Sequence, residues 1–193
     1  PVTGFISTAS KTAGFAVLLR VFIYGLAASE YWLPAMAGLA AVTMTFGNLV
    51  ALAQTNIKRL LAYSSVAHAG YALVAFVAYS ELGVASAIFY LIAYVVTNLA
   101  AFGVVIVFAH TAGTDDIQQY AGMSRRSPYL ALAMLIAFLS LAGMPPLAGF
   151  FAKFYVFAAA VKADMIWLAF VGVLNAIVGL YYYLVVLKVV YVS

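Results

Sequence analysis

Long apolar runs separated by short polar clusters dominate the chain, and dividing it at its charged and turn-forming residues leaves six of them: 4–27, 33–53, 60–80, 84–109, 129–161 and 165–190. A helix needs about twenty mainly apolar residues to cross hydrocarbon. The pattern therefore predicts an all-α, polytopic transmembrane helix bundle of six spans, forming a single transmembrane domain over residues 1–193. The connectors Ala28–Trp32, Glu81–Gly83 and Lys162–Asp164 are too short to hold a soluble domain, so consecutive helices should be antiparallel neighbours. The longest connector, His110–Pro128, carries Asp115, Asp116, Arg125 and Arg126 and belongs in water. No internal repeat or low-complexity stretch is visible.

Composition strengthens the membrane reading. Apolar residues make up 68% of the chain and charged ones 7%, against about 25% charged in an ordinary soluble domain. With no cysteine, disulfides, thiolate metal sites and cysteine-held iron–sulfur clusters are excluded from this chain. Two histidines offer little for a redox cofactor, and His110 lies about 10 Å shallower than His68, which argues against a bis-histidine haem. The opening run has neither a basic n-region nor a cleavage site and is not a signal peptide. The chain reads as a piece of something longer.

Alternating the six spans places the start of the chain, Lys58, Arg59, Arg125, Arg126 and the end near Lys188 on one side, and Glu30, Glu81, Lys162 and Asp164 on the other. The positive-inside rule makes the first side, with the Lys58-Arg59 and Arg125-Arg126 loops, cytoplasmic. Those basic pairs read as topology signals and lipid-headgroup contacts. Arg20 sits near the far end of its helix and is placed to snorkel.

Two lysines do not belong in lipid. Lys11 lies about 12 Å along a helix entering from the cytoplasmic side, near the middle of a core about 30 Å thick. An ammonium costs about 3 kcal/mol or more at that depth, and Ser7 and Ser10 offer small polar neighbours able to hold water beside it. Lysine, unlike arginine, can escape that cost by releasing its proton. Lys11 is thus a candidate proton site, the alternative being a structural ion pair with an acid outside this segment. Lys153 is the second case. The run 129–161 would be about 50 Å long as one straight helix, and Gly143-Met144-Pro145-Pro146 supplies a break. Prolines donate no N–H and crowd the carbonyls one turn earlier, while glycine adds freedom. Exposed carbonyls at membrane depth are tolerated only where they line protein or water, and discontinuous helices are where transporters place ion sites. The alternative is a packing kink with the lysine paired elsewhere.

Two helices carry polar stripes. Ser64, His68 and Tyr71 share one face of the third span, and Tyr90, Tyr94, Thr97 and Asn98 one face of the fourth. Facing each other, they would hold a file of ordered water between the lysines, because hydroxyls and neutral imidazole both donate and accept. His68 reads equally as a proton relay or as a hydrogen-bonded packing residue.

These residues also carry a resemblance. Pro1-Val2-Thr3-Gly4-Phe5 leading into Ser7-Thr8-Ala9-Ser10-Lys11, then Gln54-Thr55-Asn56-Ile57-Lys58-Arg59-Leu60-Leu61-Ala62-Tyr63-Ser64-Ser65 with His68 and Gly70-Tyr71, resemble the antiporter-like subunits of respiratory complex I. So do Leu141-Ala142-Gly143-Met144-Pro145-Pro146 and Gly149-Phe150-Phe151-Ala152-Lys153-Phe154-Tyr155, while Gly179-Leu180-Tyr181-Tyr182-Tyr183-Leu184 is similar to the final motif of the branch called subunit N in bacterial NADH-quinone oxidoreductase. The resemblance implies a fourteen-helix subunit with two inverted five-helix repeats, of which this chain would cover helices eight to thirteen. Lys11 then matches the central lysine of helix eight and Lys153 that of the broken helix twelve. A glutamate of helix five and a lysine of helix seven would precede residue 1. Related subunits and multisubunit sodium/proton antiporters place a histidine and a lysine on helix eleven, where this chain has Tyr94 and Asn98.

The resemblance further implies a proton-translocating subunit of the bacterial inner membrane, with other membrane subunits of complex I and the lipid bilayer as partners and no nucleic acid. It would hold no cofactor itself. NADH, FMN, iron–sulfur clusters and quinone would belong to other subunits. A sodium/proton antiporter subunit, a hydrogenase-linked relative and a non-transporting membrane scaffold are the alternatives.

Overall fold

Local chemistry sets the helix ends. In the computed structural model, which describes residues 2–22 and 30–192, the chain opens with α1 (Val2–Phe5), a π-helical turn (Ile6–Ser10) and α2 (Lys11–Arg20), continuous with one another. Pro34 lies in the first turn of α3 (Leu33–Leu52), where its missing N–H is not needed. Asn56 caps α4 (Ile57–Val77) by accepting from the Arg59 N–H, and Ser80 caps α5 (Glu81–Ala112) by accepting from the Gly83 N–H. A 3₁₀ turn (Ile117–Tyr120) and the short α6 (Met123–Arg126) cross the end of the bundle to α7 (Pro128–Ala142), followed by α8 (Ala148–Lys162) and α9 (Ile166–Val192).

The apolar runs starting at 33, 60, 84 and 165 fall on α3, α4, α5 and α9, the four helices among the described residues that are long and apolar enough to cross a membrane. The run 129–161 is two helices of 15 residues each, about 22 Å apiece, so neither covers the hydrocarbon thickness alone. The last part of the run 4–27, residues 23–29, lies outside the described residues.

Helix α4 is the centre of the bundle. It packs most extensively on α3 and also meets α5, α8 and α9. A Cβ added at Gly47 would come within 2.5 Å of the Ala67 backbone nitrogen, and one at Gly70 within 2.7 Å of the Met44 nitrogen, the close approach that small residues permit between membrane helices. Both α7 and α8 lie against α5, and α9 closes on α3 and α7.

The two ends of the bundle are tied differently. At one, the loop before α4 and the loop after α5 pair through Ile57 N to Asp115 O and Ile117 N to Thr55 O, each 2.9 Å, beside a 2.7 Å ion pair of Lys58 with Asp115. Arg126 turns back on the same loop, donating to the carbonyls of Gln119 (2.9 Å) and Ala121 (2.6 Å) and lying over the Phe108 ring. It is therefore a loop-bracing residue. At the other end Trp32 packs on Phe22, Phe76 and Tyr79, gathering the end of the first helix, the start of α3 and the end of α4. The outer surface is apolar: Val42, Phe46, Ile92, Val96, Phe170 and Ile177 are exposed. Such a surface suits lipid or neighbouring helices and not water.

Candidate functional site

The break in the run 129–161 is made by glycine. Helix α7 ends at Gly143, whose φ of +88° lies in the left-handed region. The N–H of Gly143 and that of Met144 return to the Leu139 carbonyl, a C-terminal cap that needs a residue without Cβ. Pro145 and Pro146 stand beyond that cap, in the connector. They keep the connector from being helical, so the run is broken, as the Gly-Met-Pro-Pro sequence predicts, and is not one kinked helix. Helix α8 begins close against α7, with Gly149 N donating to the Ser140 hydroxyl at 3.3 Å. A Cβ on Gly149 would fall 1.8 Å from the Ser140 carbonyl oxygen.

The cap leaves carbonyls at the end of α7 without helical partners, and that end carries the negative pole of the helix dipole. Lys153 answers both. From the second turn of α8 its amine donates to the carbonyls of Leu141 (2.9 Å) and Ala142 (3.0 Å) and lies 5.0 Å from the centre of the Tyr71 ring. The residue is only 6% exposed. The proline-break motif and the lysine, predicted separately, are thus one device: a buried amine resting on freed carbonyls and an aromatic face.

Lys11 follows directly on the π-helical turn and is half-buried. Its amine reaches across to α4 and donates to the carbonyl and hydroxyl of Ser65, both at 2.6 Å. The expected polar neighbours do not supply this contact. Ser10 is exposed, and the side chain of Ser7 lies outside what the structure describes. The sequence stripe had selected Ser64; its neighbour Ser65, on the adjoining face, is the residue that meets the lysine. Among the described residues neither lysine forms an ion pair with an Asp or Glu, the acids sitting at helix ends or in connectors.

Between the lysines the two stripes do meet. The Tyr94 hydroxyl also bonds the Ser65 side chain, and the Tyr94 ring lies 5.0 Å from the His68 ring. His68 contacts the Tyr90 hydroxyl through Nδ1 at 2.6 Å and the Tyr183 hydroxyl through Nε2 at 3.4 Å. Both ring nitrogens are thus engaged, and a neutral imidazole can donate with one and accept with the other in either tautomer. Thr97 shares a hydrogen bond of 3.3 Å with Ser140, and Asn98 is buried on the same helix. The small space beside these groups, lined by His68, Tyr94, Thr97, Ser140 and Lys153 among others, measures about 10 Å³, on the scale of a single water. Direct contacts join parts of the two stripes, His68 with Tyr90 by a hydrogen bond and with Tyr94 by ring packing.

Sequence reasoning missed a second polar group behind Tyr71. Asn48 on α3 and Asn175 on α9 bond each other, Asn48 Nδ2 to Asn175 Oδ1 at 3.1 Å, and Asn48 also donates to the Tyr71 hydroxyl at 3.3 Å and accepts from Tyr182 at 3.1 Å. The signal was present: each is a lone amide in an apolar run.

A family model described as NADH:quinone oxidoreductase/Mrp antiporter, transmembrane, matches residues 1–179. The chain is 50% identical over 194 residues to NADH-quinone oxidoreductase subunit N of Moorella thermoacetica, covering all of this chain and 41% of that protein. It therefore spans about two fifths of the length of the curated relatives it matches. Among solved structures, a chain of respiratory complex I from Thermus thermophilus matches all of it and 42% of that chain, at 37% identity and a TM-score of 0.84. A chain of the Mrp complex from Dietzia sp. matches 95% of it and 34% of that chain, at 27% identity and a TM-score of 0.88. The chain belongs to the NADH:quinone oxidoreductase/Mrp antiporter transmembrane family.

Proposed function

We propose that this chain is the proton-translocating part of an antiporter-like subunit of a bacterial NADH:quinone oxidoreductase, of the subunit N branch, with Lys11 and Lys153 as the groups that hold protons in transit. The observation that carries this reading is Lys153 buried on the end of a broken helix, its amine met by neutral carbonyls and a ring face. A cation so placed is held by dipoles, which leaves release of the proton available as an alternative to a fixed ion pair. Ser65, Tyr94, His68 and Tyr71 lie between the two lysines, and because Tyr94 and Tyr71 meet His68 by ring contacts, a proton moving along them needs water, with which hydroxyls and imidazole both donate and accept. Like charges repel along a path of low dielectric, so loading one lysine favours emptying the other.

The chain carries out no redox chemistry in this reading. Reduction of quinone elsewhere in the complex, by subunits holding NADH, FMN and iron–sulfur clusters, supplies the energy. The loops bearing Lys58-Arg59 and Arg125-Arg126 face the cytoplasm, and other membrane subunits and lipid cover the apolar surface. The structural likeness to the Mrp complex supports a second reading, a cation/proton antiporter subunit. Sodium would require oxygen ligands at membrane depth, and the chain's carboxylates lie at helix ends and in connectors.

The deciding experiment is Lys153→Ala in the assembled complex, with proton pumping measured per electron at matched complex content. Pumping should fall at least several-fold. Wild-type pumping would remove Lys153 from the path, and sodium-dependent pumping would move the assignment to the antiporter.

A further inference from the structure

Tyr71 is the aromatic face on which the Lys153 amine rests, and its ring is held from several sides. It is 1% exposed, and His68 and Phe157 pack their rings against it at 5.8 Å and 6.1 Å. Those contacts restrain the ring's body. Its hydroxyl is held separately, by an amide pair from two helices that take no part in the lysine contact itself.

Hydrogen-bond directions in that pair are fixed by what each group can do. The Thr45 hydroxyl donates to the Ala41 carbonyl at 2.8 Å, so its oxygen accepts from Asn175 Nδ2 at 3.2 Å. Asn175 Nδ2 also donates to the Val171 carbonyl at 3.0 Å, which leaves Asn175 Oδ1 as the acceptor facing Asn48. The Asn48 amide group then faces three acceptors, the Asn175 side-chain and backbone oxygens and the Tyr71 hydroxyl, while its own Oδ1 accepts from Tyr182. Asn48 is 1% and Asn175 8% exposed. Burying two amides in an apolar bundle is costly unless their bonds are made, and here the chain of bonds ends on the ring that faces Lys153.

We propose that Asn48 and Asn175 are positioning residues for proton loading at Lys153: they clamp the Tyr71 hydroxyl and so hold the ring face against the ammonium form of the lysine. The proposal rests on Lys153 being a proton-holding group. An aromatic face stabilises a cation and does little for a neutral amine, so the clamp acts on the charged state alone. A loosened ring lets the lysine lose its proton at lower pH.

The groups that titrate and face this lysine are Tyr71 and His68 on α4, Tyr90 and Tyr94 on α5, and, through His68, Tyr183 on α9. Helix α7 contributes Ser140 and carbonyls, which do not titrate in this range. Lys11 reaches α4, the helix of Tyr71 and His68, from the first helix, at Ser65.

The test is the pH profile of proton pumping in membranes containing the full-length protein in its assembly, at matched content. Tyr71→Phe removes one oxygen and keeps the ring, Asn48→Leu removes the clamp and keeps the tyrosine, and Tyr71→Leu removes the ring. The first two should each move the alkaline limb of the profile about half a unit to one unit toward lower pH. Their combination should move it no further than either alone, and Tyr71→Leu should move it more. Should Asn48→Leu fail to assemble, Tyr71→Phe still reads the clamp. An unmoved profile in Tyr71→Phe, with Tyr71→Leu shifted, would overturn the clamp and leave the ring. Additive shifts in the double variant would also overturn it, because independent effects do not describe one clamp. Lys153→Met pumping at the wild-type rate would instead overturn the underlying role of the lysine.

Discussion

At the scale of single residues, the question for a lysine held on neutral oxygens is whether its charge or its proton matters. Lys11 donates to the carbonyl and hydroxyl of Ser65, contacts that a guanidinium could also make. Arginine, however, does not deprotonate in proteins. If Lys11 carries protons, Lys11→Arg should be nearly as harmful to pumping as Lys11→Met; if it is half of an ion pair with an acid elsewhere, arginine should substitute well. Pumping per electron at matched complex content separates the two. Ser65→Ala removes one of the two oxygens facing the amine and leaves the other, so its loss should be partial, on the order of 1 kcal/mol of interaction or a few-fold in rate. The lysines themselves were legible in the sequence because an ionisable group in an apolar run stands out against the cost of burying it. Ser65 was not legible. Helical phase groups Ser64 with His68 and Tyr71, and only the packing of the first helix beside α5 brings the Lys11 side chain to the neighbouring flank of α4. The bond between Asn48 and Asn175 was hidden for the same reason, since it joins positions 127 apart through tertiary packing.

At the scale of elements, the broken helix is where local chemistry and site geometry coincide. The length of the run and the Gly-Met-Pro-Pro sequence were enough to foresee a break. They did not say that glycine forms the cap and that the lysine folds back onto it, because both depend on how α8 leans on α7. Gly143→Ala should be costly on two counts: a left-handed backbone with a Cβ costs about 1–2 kcal/mol, and the added carbon would lie 3.0 Å from Lys153 Cδ. Pro145→Ala leaves the Gly143 cap in place and should be much milder. Proton pumping at matched content ranks the pair, and the opposite ranking would return the break to proline. Gly149→Ala, whose Cβ would meet the Ser140 carbonyl at 1.8 Å, should separate the half-helices and lower the amount of assembled protein, which blue-native gels would register. Arg126→Ala should act in the same currency, through the loop carbonyls it braces, with pumping per assembled complex preserved.

At the scale of the whole molecule, the described polar groups nearest the lysines lie between them. Ser65, Tyr94, His68 and Tyr71 lie along the middle of the bundle, while the charged residues Lys58, Asp115 and Arg126 gather at one end in contacts of their own. The first helix lies at the edge, with Phe5, Ile6 and Val17 exposed, and the chain spans about two fifths of the length of its relatives. A proton moving from one face to the other needs entry and exit as well as a middle. Water or polar side chains must supply them, because an unsolvated charge at membrane depth is costly. Helices of the full-length protein, packed on the apolar surface of this segment, are the expected source. Residues 1–193 reconstituted alone in liposomes should therefore carry no proton flux above that of empty vesicles, even if the segment folds and inserts. A pH-sensitive dye trapped inside the vesicles, with an imposed pH difference and a potassium gradient clamped by valinomycin, measures this directly. Protease protection of the loop bearing Arg125 and Arg126 reports insertion in the same sample. Robust flux from inserted segment, abolished by Lys153→Met, would mean that these helices hold a complete pathway and that the remaining ones serve coupling alone.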